Sequence, residues 1–251
     1  MKKCVIALLL ATFSVGIVSG VDFSLSVGGG GLLGYTFTRY TLEGDTRNSG
    51  ALESIQIMDR FNYGGFLFLD AVYGELTILF QRGVNSYEEY VNFKESPSHG
   101  WERIPGGKGT GTEMSIGFSL MGKYPFYIDE KLSWFPLLGI EYQIALLEWR
   151  KMDGVVYDRT EGKLPADRDK DGNKYSLSAW NSFWIDLGAG IDYNITGSLY
   201  VRGEFLFGFR LQTVYETGAL EMNKSMFDVP DPKLKGLTGS PTLKVGIGYR
   251  F

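Results

Sequence analysis

Residues 183–193, FWIDLGAGIDY, set Phe183, Ile185, Leu187, Ala189, Ile191 and Tyr193 against Trp184, Asp186, Gly188, Gly190 and Asp192. A period of two sends successive side chains to opposite faces of a β-strand, so this segment has one apolar face and one of acids and glycines. The same alternation returns along the chain. From Val21 it runs through Phe23, Leu25 and Val27, survives a run of glycines, and resumes at Leu33, Tyr35 and Phe37. VYGELTILFQR, EMSIGFSLMGK, LLGIEYQIALLEW, SLYVRGEFLFGFRL and the terminal TLKVGIGYRF repeat it. FNYGGFLFLD reads as a strand by composition and length alone, because Phe66 and Phe68 oppose equally apolar Leu67 and Leu69. With it the sequence predicts eight strands of about ten residues each.

The connections alternate. Polar stretches, Arg39–Asp59, Gly83–Thr112, Glu148–Trp180 and Gln212–Ser240, follow strands one, three, five and seven; short links near Asp70–Val72, Tyr124–Ser133 and Asn194–Ser198 follow the others. Antiparallel strands joined this way put all the long connections on one rim and all the short ones on the other. That asymmetry, with an even strand number, predicts an all-β, eight-stranded antiparallel up-and-down transmembrane barrel with four long extracellular loops and short periplasmic turns.

Polarity assigns the faces. The polar face carries Glu75, Lys123, Glu141, Asp186, Asp192, Arg202, Glu204, Arg210, Lys244 and Arg250, interleaved with glycines. A water-soluble barrel would show these to solvent and bury the apolar face. An eight-stranded barrel has an interior just wide enough for side chains, so here the charges are expected to fill the lumen as an ion-paired cluster while the apolar face meets lipid. Backbone groups in lipid must be paired within the protein, which requires the terminal strand to close on the first.

Both ends agree with export. MKKCVIALLLATFSVGIVSG has two lysines, an apolar run and small residues before Val21, the pattern of a secretory signal peptide cleaved after Gly20, with residues 21–251 as the barrel domain. Cys4, the one cysteine, falls inside that leader, so disulfides contribute nothing to the mature domain. Beyond the leader no apolar run is long enough for a transmembrane helix. The formal net charge of −4, with no basic cluster standing out, argues weakly against nucleic acid as a partner.

On these residues the chain resembles the small eight-stranded outer-membrane barrels of double-membraned bacteria, the group of OmpX, the OmpA membrane domain and OmpW. Lys244, Gly246, Tyr249 and Phe251 look like the terminal signal by which such barrels are recognised by the barrel-assembly machinery. The resemblance implies outer-membrane localisation after passage through the general secretory route and contact with outer-membrane lipid. It also implies loops available to extracellular or host ligands.

Three further motifs bear on chemistry. In DRDKDGNK, Asp167, Asp169, Asp171 and Asn173 place oxygens at alternate positions around Gly172, like the first half of a calcium loop, but the twelfth position is Ser178 instead of a bidentate Glu. This predicts weak calcium binding at most, with a solvated acidic turn as the alternative; no cofactor is otherwise required. His99, in SPSHGWE, has Ser96 and Ser98 beside it, but sequence adjacency makes no catalytic relay, and a surface histidine is the better reading. Finally, Tyr40, Trp149, Trp180 and Phe209 are expected in an outer aromatic belt, and Tyr124, Phe126, Tyr127, Trp134, Phe135, Tyr193 and Phe251 in a periplasmic one. The function these observations predict is a non-enzymatic outer-membrane barrel with an occluded lumen and surface-exposed loops. A narrow, OmpW-like channel for small or hydrophobic solutes is the alternative, and a lipid-directed enzyme the third reading.

Overall fold

The computed structural model describes residues 24–45, 51–94, 102–152, 155–158, 181–211 and 233–251. In chain order its strands are β1 (Leu25–Asp45), β2 (Ala51–Ala71), β3 (Gly74–Lys94), β4 (Glu102–Lys123), β5 (Phe126–Tyr127), β6 (Leu132–Met152), β7 (Val155–Asp158), β8 (Ser182–Asn194), β9 (Leu199–Arg210) and β10 (Lys233–Arg250). The short β5 and β7 are appendages of β6, and the other eight are the staves. Each pairs antiparallel with its neighbours, β4 with β6, and the ring closes where β10 meets β1, from Ser26 opposite Arg250 to Glu43 opposite Lys233. The chain is an eight-stranded antiparallel up-and-down transmembrane β-barrel.

Its polarity is inverted relative to a water-soluble barrel. Leu33, Leu67, Phe80, Leu138, Leu187, Phe205 and Ile247 are exposed on the outer wall, while Glu75, Arg202, Glu204 and Lys244 are buried inside. On β2 the apolar band runs from Phe61 to Leu69 and gives way to Asp59; on β1 it runs from Val27 to Phe37 and gives way to Arg39, which pairs with Asp59 at 2.7 Å. Such a band, about ten residues per strand, matches the hydrocarbon core of a bilayer. Among the described residues no helix is long and apolar enough to cross a membrane.

The strands are longer than the alternation predicts. β1 continues to Asp45 and β2 begins at Ala51, inside the expected Arg39–Asp59 connection; β3 and β4 likewise run through most of Gly83–Thr112, and β10 begins at Lys233. The ladder outlasts the hydrophobic pattern for a physical reason: once the membrane segment holds two strands in register, each further pair closes no new loop. In water that extension needs no apolar face. At the other rim the links are short, as expected, with β2 and β3 joined through Val72 and Tyr73. Val72 has φ 22°, the positive value a tight hairpin turn demands and a β-branched residue resists.

Candidate functional site: the barrel lumen

Alternation carries every second side chain inward, so the lumen is built from three tiers. Nearest the short-turn rim stands Arg202 of β9, 1% exposed. Its Nε and Nη2 donate to the two oxygens of Asp192 on β8, both at 2.7 Å. Nη1 donates to Glu75 of β3 and Nη2 to Asp70 of β2, each at 2.5 Å, so one guanidinium ties together four staves. Lys123 of β4 donates to Asp70 from the other side at 2.5 Å. Asp70 and Glu75 are directly opposite each other across the β2–β3 hairpin. Two like charges in that position repel unless a cation lies between them, and Arg202 supplies it.

Aromatic rings complete this tier. The Arg202 guanidinium carbon lies 4.7 Å from the Phe68 ring centroid, 5.0 Å from Phe135 and 5.2 Å from Tyr200. The rings fit because glycines face them. A Cβ on Gly28 would come within 2.3 Å of the Phe68 ring, and one on Gly248 within 2.2 Å of Tyr200. The lumen is therefore packed with large rings as well as charges, which corrects the expectation that small residues and ion pairs alone fill it. Phe135, expected in the periplasmic belt, is 1% exposed and belongs to this interior. The belt itself exists at that rim, where Tyr73, Tyr124, Phe126 and Trp134 form a chain of ring contacts.

In the middle tier Lys244 of β10 sits opposite Glu204 of β9. Nζ and Oε2 are 3.8 Å apart, and neither Glu204 oxygen nor Nζ makes a hydrogen bond. Glu141 accepts from Gln143 at 2.6 Å, and Asp186 lies buried on the adjacent stave, β8, with one oxygen lacking a partner. Glu141, Glu204 and Asp186 thus face the same space as Lys244, but the structure does not bring Asp186 and Lys244 into a direct salt bridge.

Above this lies a largely neutral tier. Thr36 meets Ser240 at 2.9 Å, Thr38 meets Thr238 at 3.1 Å, and Asn62 donates to Thr36 at 2.8 Å. Arg60 pairs with Glu113 at 2.6 Å, and Arg210 donates to the Tyr40 hydroxyl at 2.9 Å. Tyr40, expected in the outer belt, therefore turns inward, because it shares the face of Thr36 and Thr38. A cavity of about 20 Å³ among Thr36, Arg60, Asn85 and Arg210 has room for about one water. Arg250 lies at the opposite mouth, its guanidinium 5.2 Å over Tyr200.

Of the expected cluster, then, Asp192, Arg202 and Glu204 come together on β8 and β9, and Lys244 joins Glu204 from β10. Asp70 was not singled out from sequence, because the segment containing it has no clear face. The available signal was its place two residues ahead of Val72 and opposite Glu75, a pair of acids that demands a buried cation. Of the terminal residues, Lys244 and Gly246 point into the lumen while Tyr249 and Phe251 are exposed on the wall. Asp167, Asp169, Asp171, Asn173, His99, Trp180 and the leader 1–20 lie outside the described residues.

No protein-family model matches the chain, and no curated protein does. Among solved structures it is similar to small outer-membrane barrels. Ail, the attachment invasion locus protein of Yersinia pestis, is 13% identical with a TM-score of 0.31, the match covering 92% of this chain and 100% of that one. The N-terminal β-barrel domain of OprF from Pseudomonas aeruginosa is 11% identical with a TM-score of 0.36, over 92% and 100%. The outer membrane protein OprG of the same organism is 10% identical with a TM-score of 0.33, over 92% and 96%. At these scores the barrel assignment rests on the closed ring of pairings and the lipid-type outer wall.

Proposed function

We propose that this chain is a non-enzymatic integral outer-membrane protein whose lumen is closed to solutes and whose work is done at its surface. One observation carries the reading: Arg202 is bonded to carboxylates from β2, β3 and β8 and overlaid by Phe68, Phe135 and Tyr200, a plug across the whole bore. Opening a path there would separate several buried charge pairs at once, which is unfavourable by several kcal/mol (roughly 3–5 for one broken pair). The β1–β2 and β3–β4 hairpins, extended beyond the apolar band, then form a stiff platform for contacts outside the cell. Lys108 and Glu88 pair across the second of them.

The rival reading, a narrow channel, draws on the middle tier, where Glu204 and Lys244 hold each other loosely. Planar-bilayer recording on the refolded protein decides between them. The closed lumen predicts no stable unitary current, whereas steady conductance from the wild type replaces this reading with the channel. Export, calcium at Asp167, Asp169, Asp171 and Asn173, and docking on the barrel-assembly machinery through Lys244, Gly246, Tyr249 and Phe251 belong to the same proposal.

A further inference from the structure

On the outer wall, where β10, β1 and β2 run side by side, the band of lipid-facing side chains is interrupted. Gly31 is paired with Val245 on one side and Gly65 on the other. One row toward the extended hairpins stand Leu243, Leu33 and Tyr63. The result is an apolar dent of about 420 Å³ lined by Gly31, Leu33, Tyr63, Leu243 and Val245. The barrel does not require this gap. A Cβ on the neighbouring, inward-facing Gly30 would come within 2.0 Å of the Val245 carbonyl oxygen, but one on Gly31 would meet only the Gly64 carbonyl at 3.9 Å. Packing would therefore accept a side chain at Gly31.

A second observation adjoins the first. Tyr63, at the edge of the dent, is the cross-strand partner of Arg82, whose other partner is Met114. Arg82 is exposed on the lipid-facing wall, between Phe80 and Val84 on its own strand, and has no acidic partner among the described residues. An unpaired guanidinium within an apolar band is unfavourable unless its stem lets the head reach the headgroup layer and meet an anion there. Val84, opposite Phe61, is the last apolar residue on that face before Ser86, so Arg82 stands one row inside the outer edge of that band, within reach of the headgroup layer for its long stem. A planar fork suits a phosphate, which it can hold bidentately.

We propose that the dent and Arg82 together form a binding site for a membrane lipid carrying a phosphate monoester. One acyl chain lies in the dent over Gly31, and the phosphate sits on Arg82 with Tyr63 between them. The inference rests on the membrane-spanning reading of the outer wall.

The test is native mass spectrometry of the refolded full barrel in neutral detergent. The probes are dipalmitoyl phosphatidic acid, phosphatidylcholine with the same chains, and glycerol 3-phosphate as a headgroup without chains. The wild type is expected to retain phosphatidic acid in preference to phosphatidylcholine and to hold glycerol 3-phosphate poorly. Arg82→Gln should lower phosphatidic acid affinity by about tenfold, the scale of a charge-assisted hydrogen bond, and erase the preference. Gly31→Leu, which fills the dent, should weaken both lipids and leave the preference intact. Equal retention of the two lipids by the wild type, an unchanged preference in Arg82→Gln, or glycerol 3-phosphate bound as tightly as the lipid would overturn the site. So would undiminished lipid binding by Gly31→Leu. Heat-dependent gel migration checks that each variant folds; if Arg82→Gln does not, Arg82→Lys, which keeps the charge but loses the fork, should show a smaller loss, and no loss overturns the site equally. A barrel that is monodisperse without detergent would refute the membrane reading itself, which a detergent-dependent barrel without lipid preference would not.

Discussion

Two cations lie buried in the same lumen, each 1% exposed, and the barrel treats them differently. Arg202 spends Nε, Nη1 and Nη2 on Asp192, Glu75 and Asp70 and has three rings over its faces. Lys244 has Glu204 at 3.8 Å, no hydrogen bond, and the Phe66 ring at 5.7 Å. The difference follows from the side chains. A guanidinium is a planar fork whose donors point in fixed, divergent directions, so one residue can bridge several staves, and its faces accept aromatic rings. An ammonium is a point charge on a flexible stem, which serves one neighbouring acid well or several poorly. The Arg202 tier therefore joins the barrel's two sides, whereas the Lys244 tier joins two adjacent strands that the backbone already holds together.

If that contrast is sound, its largest consequence falls on Arg202. Arg202→Ala should destabilise the barrel by about 3–5 kcal/mol, because Asp70, Glu75 and Asp192 are left buried without their shared cation. Denaturant unfolding of the protein refolded in detergent measures this. A loss under about 1 kcal/mol would show that the tier is ornamental, since values that small are typical of exposed pairs. Removing both members of the loose pair, as Lys244→Met with Glu204→Leu, should change stability far less, within about 2 kcal/mol and in either direction, because the desolvation penalty disappears along with the attraction. A loss as large as that of Arg202→Ala would put the two tiers on the same footing and remove the contrast.

The smallest effect is expected outside the membrane, where Asp129 offers a third way of holding a charge. In the β5–β6 link its Oδ1 accepts the backbone N–H groups of Lys131 and Leu132 at 2.7 and 2.8 Å. These two bonds lower its pKa below the ordinary value of 3.8. A depressed carboxylate contributes to turn stability above its unfolded pKa, and the contribution is lost as pH falls through the folded value, below 3.8. Hydrogen exchange at the Lys131 and Leu132 amides should therefore rise relative to the intrinsic rate only in that acid window, and Asp129→Ala should abolish the pH dependence. An unchanged profile in the variant would show that the carboxylate does not hold the turn.

The alternation of apolar and polar residues by itself determined that the chain forms strands, which face of most of them is apolar, and that Glu75, Glu141, Asp186, Asp192, Arg202, Glu204 and Lys244 share the other; the alternation of long and short connections made those strands antiparallel. Facing is local: a period of two decides it strand by strand. FNYGGFLFLD was opaque because both of its faces are apolar, one for lipid and one for the packed lumen, so no period distinguishes Phe66 and Phe68 inside from Leu67 and Leu69 outside. Only the tertiary structure decided which charges meet. Asp192 and Arg202 are cross-strand neighbours and could be paired from the order of strands, but Asp70 and Glu75 reach Arg202 from the opposite wall, across a bore whose closure and stagger belong to the whole ring. The strand lengths were decided there as well, because beyond the bilayer the ladder is propagated by pairing with a neighbour and no longer by a hydrophobic face that a single strand could display.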